Sequence, residues 1–288
     1  MNNPENNNTF KPKQALAPTP QLYGELVGNG MENLAKVTAA EMLPIPAGAV
    51  IHDNGCGIGA GTAAIVDLLG DAAITVTIHG TDINEQALDI YKKKADEHKW
   101  PTEATMVDST ALKFPDGHFS HSIGTALLFV LPDDGTTALK ETYRTLKDGG
   151  IAAVNSWAYV PNMEPIQVAA KLTRPEGTPL PRKGMEKWET PEFLQSVVEK
   201  GGFSRDSITC VKRDVICVTT AGIDRYANML WSFIGGTGAA GWLESDEEKW
   251  DEAIEIVKSG LKKTEGYEEL PDGKLQLKFV ANVVLATK

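Results

Sequence analysis

The sequence predicts a doubly wound α/β fold built on a mostly parallel sheet, and three observations carry that expectation. Short apolar runs alternate with segments of helical periodicity between Ala49 and Trp157. The first run breaks into alternate glycines at 55, 57, 59 and 61. Acidic residues, Asp53, Asp82 and Asp108, stand at the ends of three successive runs. In an open α/β sheet those strand ends border the ligand crevice.

The elements follow in order. Residues 1–19, MNNPENNNTFKPKQALAPT, are rich in Asn and Pro and predict a disordered tail with little to bury. Tyr23 to Leu43 has apolar residues at helical spacing (Leu26, Leu34, Val37, Met42), interrupted near Gly28 and Gly30. Strands are expected at 49–53, 74–80, 104–107, 121–126 and 150–157, with helices at 61–69, 84–98 and 134–147. Residues 207–220 and 274–288 supply a sixth and a seventh strand. The segments 158–190 and 222–263 do not belong to the sheet, and the second reads as two helices around Gly235-Gly236-Thr237-Gly238. With 20–43 they are expected to form a helical lid embedded in a single domain over 20–288. Five of the six tryptophans (157, 188, 231, 242, 250) fall in or beside these segments, where aromatic and Met side chains suit an apolar ligand.

Ala49 to Thr62, AVIHDNGCGIGAGT, carries most of the chemistry. Glycine tolerates positive φ and lacks a Cβ, so a ligand can lie against this backbone. Gly55-x-Gly57-x-x-Ala60 also fits the dinucleotide fingerprint, but a pyrophosphate beside Asp53 would be repelled. The acids suit another ligand. Asp82 after the second strand can accept from both hydroxyls of a ribose, Asp108 after the third from the exocyclic amine of adenine, and Asp53 from an ammonium. Together they describe a ligand with adenine, ribose and ammonium but no phosphate.

This constellation resembles the class I S-adenosylmethionine-dependent methyltransferases of the small-molecule type. Asp53-x-Gly55-x-Gly57-x-Gly59 is similar to their first motif and Asp82 to their ribose-binding acid. Asp108 to Phe119, DSTALKFPDGHF, resembles the family's D-x-x-x-L-P-F-x-D-x-x-F segment, with Lys113 a loose match and Ser120 where an aspartate often begins the fourth strand. Leu139, Glu141, Arg144, Leu146, Lys147, Gly149 and Gly150 match the helix and turn before the fifth strand. The likeness runs from about Val50 to Trp157. It implies a seven-stranded Rossmann-like methyltransferase fold, whose last strand inserts antiparallel beside the fifth, and S-adenosylmethionine as cofactor. The expected cofactor residues are Tyr23 (as a gate), Asp53, Gly55, Gly57, Gly59, Asp82, Ile83, Asp108, Ser109 and Thr125. The expected substrate residues are Phe129, Trp157, Tyr159, Trp188, Met229 and Trp231.

Composition sets bounds on partners and place. The formal net charge of −11 argues against nucleic acid as methyl acceptor. Lys92-Lys93-Lys94 reads as a solvated helix face. No run of 18 uncharged apolar residues occurs, and the first 20 residues lack the order of a signal peptide. Three cysteines are too few for a disulfide framework and match no zinc spacing, so no metal and a cytoplasmic setting are expected.

Methyl transfer from a sulfonium is an in-line displacement that needs a base only when the nucleophile must lose a proton. No residue stands out as that base. The stretch after the fourth strand, Gly124-Thr125-Ala126-Leu127-Leu128-Phe129, is almost wholly apolar and lacks the Asn/Asp-Pro-Pro-Tyr/Phe word of enzymes acting on planar nitrogens. His52, His79, His98, His118 and His121 all read as structural. The expected activity is methyl transfer to a small, largely apolar metabolite, with oxygen, nitrogen, sulfur and carbon acceptors all open. The alternatives are a non-methylating cyclisation or isomerisation on the same fold, and a non-catalytic cofactor-binding subunit.

Overall fold

The computed structural model describes residues 10–288. They form two compact units: one takes in the chain through Gly30 with Tyr159–Lys187 and Ile216–Phe279, the other Met31–Ala158, Trp188–Val215 and Val280–Lys288.

The second unit is the sheet. Its elements in chain order are α2 (Gly30–Ala40, after α1 at Pro20–Val27), β1 (Val50–Asn54), α3 (Ala60–Leu69), β2 (Thr77–Asp82), α4 (Glu85–His98) and β3 (Thr102–Met106). β4 (Phe119–Gly124), α5 (Thr136–Thr145), β5 (Leu146–Tyr159), α7 (Pro191–Lys200), β6 (Ile208–Val218) and β8 (Leu275–Thr287) follow; α6 (Met163–Thr173), between β5 and α7 in the chain, belongs to the other unit. The strand order is β3-β2-β1-β4-β5-β8-β6. β1 pairs in parallel with β2 and β4, β2 with β3, and β4 with β5. Lys288 exchanges backbone bonds with Gly149 and Gly150, and Asn282 Nδ2 reaches Ser156 Oγ, so β8 runs antiparallel to β5 as the resemblance implied. The order reverses beside β1 and β4, which is where an α/β sheet opens its crevice.

The core of this unit explains the pattern. Ile51, Ile78 and Ile123 on three adjacent strands meet Ile65 of α3 and Ala35 and Ala39 of α2. All six side chains are removed from water. Each isoleucine buried in this way contributes about 1.5–3 kcal/mol. A different packing occupies other residues of the same strands: His52 stacks on Phe119 at 4.7 Å, His79 meets Phe114 and Phe119 edge-on, and His118 stacks on Phe114 and meets Phe119 edge-on. His52 and His79 are register partners on β1 and β2.

The other unit is mainly helical: α1, α6, α8 (Ile223–Ile234), α9 (Glu244–Glu248) and α10 (Trp250–Leu261), with β7 (Glu268–Glu269) pairing with the start of β8. Thr19 caps α1 by accepting from Leu22 N at 3.1 Å. Leu22, Ile166, Leu230, Trp231, Trp250 and Val257 share one core. Inside it Arg174 Nε and Nη2 donate to Asp246 Oδ1 and Oδ2 at 2.8 and 2.9 Å, with both side chains fully buried. Losing one partner of such a pair costs about 3–5 kcal/mol, because the other charge stays buried alone.

Each unit has its own core, and most of 158–190 and 222–263 falls in the helical one. The tail expected at 1–19 lies outside the described residues up to position 9, and from 10 onward it is held. Pro12 is buried, Leu16 N donates to Ser232 Oγ at 3.0 Å, and Lys13 pairs with Glu247 at 3.0 Å. Ala15 and Leu16 pack on the helical core, so this segment has apolar surface to bury after all.

Two outcomes are expected from these contacts. Deleting residues 1–19 lowers Tm by several degrees, because it uncovers the helical core at Leu16; differential scanning calorimetry measures this. Burial holds the His52 imidazole down at about 3, against an ordinary 6.5. The unfolded chain therefore binds the extra proton as pH falls below 6.5, and stability that is full above that value is lost toward pH 3. Relative to His52→Phe, the wild type loses about 1.4 kcal/mol per pH unit through this window, read from urea unfolding.

Candidate functional site

The loop after β1 is built from left-handed backbone. Gly55, Gly57 and Gly59 have φ of +69°, +51° and +98°, a region that side chains with a Cβ rarely enter. Cys56 N donates to Thr81 O at 2.9 Å, and Gly57 N to Asp82 Oδ2 at 2.9 Å, so the loop is tied to the end of β2. A Cβ on Gly57 would meet nothing within 4 Å, whereas one on Gly59 would press on Trp100 and Tyr91. Open backbone at Gly57 and closed packing at Gly59 are what a ligand cradle resting on a helix start requires. The Cys56 thiol is buried, and burial, with Asp53 and Asp82 nearby, pushes its pKa up, so it packs and does not react.

Asp53 turns inward. It is fully buried, and its Oδ2 accepts from Thr62 N at 2.8 Å and from Thr62 Oγ1 at 2.7 Å. Desolvation pushes its pKa up to about 6. A Cβ on Gly61 would meet Asp53 Oδ1 at 2.6 Å, which explains the fourth glycine. Through Oδ2 the acid braces the start of α3. Thr62 Oγ1 continues to Tyr91 Oη at 2.7 Å, Tyr91 to Thr102 Oγ1 at 2.6 Å, and Thr102 to Ile78 O at 3.0 Å.

Asp82 and Asp108 stay at the strand ends. Asp82 Oδ1 accepts from Asn84 N at 2.8 Å and Oδ2 from Gly57 N, which leaves each oxygen a lone pair for a further donor. Ile83 beside it is 67% exposed, an apolar face at the rim. Asp108 is exposed, and its Oδ1 accepts from Thr110 N and Oγ1 at 2.8 and 2.7 Å. Those two bonds hold its carboxyl below the usual range. Its Oδ2 has no bond of this kind among the described contacts. Ser109 is buried and donates to Asn54 Oδ1 at 2.7 Å, locking the β3 exit to the end of β1.

Beyond β4, Thr125 Oγ1 is buried without a protein partner. Ala126 adopts φ +54°, and its N donates to Asn155 Oδ1 at 2.9 Å. Leu127 lies against the glycine loop, since a Cβ on Gly55 would meet its Cδ1 at 2.6 Å. Phe129 meets the Trp188 ring edge-on at 6.0 Å, and Trp188 meets Phe193 at 5.0 Å. Trp157 is half-buried near the end of β5.

The remaining predicted residues belong to the helical unit. Met229 and Trp231 are fully buried in its core, Trp231 under the Arg174 guanidinium at 5.5 Å from its centroid. Both pack in the core formed by α8 and its neighbours. Tyr23 is 49% exposed and meets Phe233 at 6.1 Å. Tyr159 lines a groove of about 720 Å³ between α6 and α10 with Glu164, Val168, Leu172 and Ile256.

Sequence reading missed Asn54, Tyr91, Asn155 and Thr38. Asn54 sits inside the glycine word, between the acid and Gly55, and that position was its one local signal. The others are joined to the site across long sequence separations, which no local pattern reveals.

Residues 51–150 match the family model described as a methyltransferase domain. The chain is 26% identical over 190 residues to methyltransferase ktnA of Aspergillus niger, covering 57% of this chain and 62% of that protein. It is 33% identical over 111 residues to the demethylmenaquinone methyltransferase of Bacillus licheniformis, covering 38% of this chain and 45% of that protein. The chain thus spans about half to three fifths of the curated relatives it matches. Among solved structures it is similar in fold to the YcgJ protein of Bacillus subtilis, with a TM-score of 0.54 and 16% identity over 88% of this chain and 97% of that one. The glycine loop and the acids at the ends of β2 and β3 thus lie within the stretch that matches the methyltransferase-domain model.

Proposed function

We propose that the chain binds S-adenosylmethionine at the Gly55–Gly59 loop and transfers its methyl group to a small, largely apolar metabolite. The observation that carries this reading is the pairing of open left-handed backbone at Gly57 with the Asp82 carboxylate bonded to it. When bound, the cofactor supplies an electrophilic methyl group on a sulfonium. The residues do the rest. Asp82 offers its remaining lone pairs to a pair of hydroxyls, Ile83 an apolar face to a flat ring, and Asp108 Oδ2 an acceptor for an amine. Met106, 60% exposed, widens the apolar rim after β3.

The wall beyond β4 supports an apolar acceptor. Phe129, half-buried and edge-on to Trp188, offers an apolar face backed by the buried Leu127 and Leu128, and positioning is the main demand of an in-line displacement. The imidazoles of the sheet unit are engaged elsewhere, in the Phe114–Phe119 cluster, with Ser120 or with Trp100. This favours acceptors that are already nucleophilic, such as a thiolate, an acidic phenol or enol, or an amine of low pKa.

A net charge of −11 supports a small-molecule partner over nucleic acid. Among the described residues no helix is long and apolar enough to cross a membrane. No disulfide joins the three cysteines, which fits a reducing, cytoplasmic setting.

Three results are expected. Incubation with methyl-labelled S-adenosylmethionine and a metabolite extract of the source organism yields a product heavier by one labelled methyl, read by mass spectrometry; cofactor binding with no labelled product would favour a non-methylating reaction. Asp82→Ala weakens S-adenosylhomocysteine at least tenfold in calorimetry, and an unchanged Kd removes the ribose assignment. Gly57→Val abolishes that binding while Tm falls only a few degrees, because its added side chain enters open space from a strained φ of +51°.

A further inference from the structure

Behind the end of β4 lies a polar relay that packing alone does not require. Asn155 on β5 and Thr38 on α2 are both fully buried. Asn155 Oδ1 accepts from Ala126 N at 2.9 Å, and Asn155 Nδ2 donates to Thr38 Oγ1 at 2.8 Å. Thr38 Oγ1 in turn donates to Leu34 O at 2.8 Å. The relay runs from the helix α2 through Asn155 of β5 to one backbone N–H just past the end of β4. An apolar pair of the same shape would avoid the desolvation cost of burying an amide and a hydroxyl.

What the relay holds is a residue in an unfavourable conformation. Ala126 has φ +54°, and left-handed backbone costs a residue with a Cβ about 1–2 kcal/mol. Its consequence is seen in the next residue. Leu127 is carried against both Gly55 and Gly124, where Cβ atoms would meet its side chain at 2.6 and 3.4 Å. Immediately before the turn, the buried Thr125 hydroxyl has no protein partner. One strained turn therefore sets the contact between the glycine loop and the β4 end, and also the place of an unused hydroxyl.

We infer that Asn155, backed by Thr38, is a positioning residue for the cofactor cleft: it holds Ala126 left-handed so that Leu127 packs on Gly55 and Thr125 Oγ1 is left to hydrogen-bond the cofactor. This rests on the reading that S-adenosylmethionine binds at the Gly55–Gly59 loop. Asn155 itself touches no ligand. It acts through the backbone of Ala126, and a glycine at 126 would hold the same φ without help.

That last point supplies the test. S-adenosylhomocysteine is titrated by calorimetry into the full chain and its variants, with Tm measured in parallel. Asn155→Leu is expected to weaken binding at least tenfold. The double variant Asn155→Leu/Ala126→Gly is expected to bind within threefold of Ala126→Gly alone. Its Tm stays lowered, because the Thr38 environment is still disrupted. A purely structural role predicts the reverse, with affinity following Tm and no rescue by glycine. Either that pattern or wild-type affinity in Asn155→Leu overturns the proposal. Should Asn155→Leu not fold, Thr38→Val weakens the relay from its outer end, with at least a threefold loss expected and recovery in Thr38→Val/Ala126→Gly; an unchanged Kd overturns the proposal equally. A wild-type chain without measurable affinity overturns the cofactor reading itself, and the relay with it. A wild type that binds and variants that do not follow the pattern overturn the relay alone.

Discussion

The contact between the Asp53 carboxyl and Thr62 is the one on which the cleft depends. Two groups of Thr62 bond one oxygen of Asp53, and that fixes the start of α3 against the end of β1. Everything between them, residues 55–59, must then close in a few left-handed steps, which is why glycine recurs there. The bond is extended through Tyr91 and Thr102 to Ile78 O, so the same chain also holds α4 and β3. Tyr91 leaves no room for a Cβ on Gly80 or Gly59, so these two glycines serve packing while Gly57 serves the opening. Burial raises the Asp53 carboxyl to about 6, against the two Thr62 bonds that favour its charged form.

The fold was largely legible because each sheet strand is bounded by turn residues and each helix by an apolar period. The strands expected at 49–53 and 274–288 appear as β1 at Val50–Asn54 and β8 at Leu275–Thr287. β2 begins three residues later than expected, at Thr77, because Gly70–Thr75 winds into a tight helical turn before the strand. β-branched Ile74 and Thr75 read as strand by propensity, but Ile74 is 85% exposed and has no strand partner to pack on. The helix α7 at Pro191–Lys200 was not expected, although Thr190 before Pro191 is a recognisable start.

The site was legible by residue type and less so by role. A strand-end acid in a glycine motif looks the same in sequence whether it faces the ligand or the helix behind it. Asp53 and Asp82 differ only in three dimensions: Thr62 takes one inward, and Gly57 N and Asn84 N keep the other at the rim. Ser109 was read with its neighbour Asp108, yet their side chains part, one to Asn54 and one to Thr110. The same ambiguity governs Met229 and Trp231. An aromatic and a thioether on an amphipathic helix suit a ligand wall or a core equally well, and α8 turns them to its core.

A consistent division follows from which polar atoms the protein satisfies for itself. Both Thr62 bonds to Asp53 are internal, as are those of Ser109 and Asn54, so these groups brace the frame of the cleft. Asp82 and Asp108 each keep acceptor capacity, and Thr125 keeps its hydroxyl entirely. A buried hydroxyl without a partner costs about 1–3 kcal/mol, and a sheet with a well-packed core has no reason to bear that cost at a strand end. The cost is offset if a ligand makes the bond. The acceptor capacity of Asp82 and Asp108 and the open hydroxyl of Thr125 are therefore a better guide to the ligand than residue types alone, and these three lie on both sides of the Gly55–Gly59 loop.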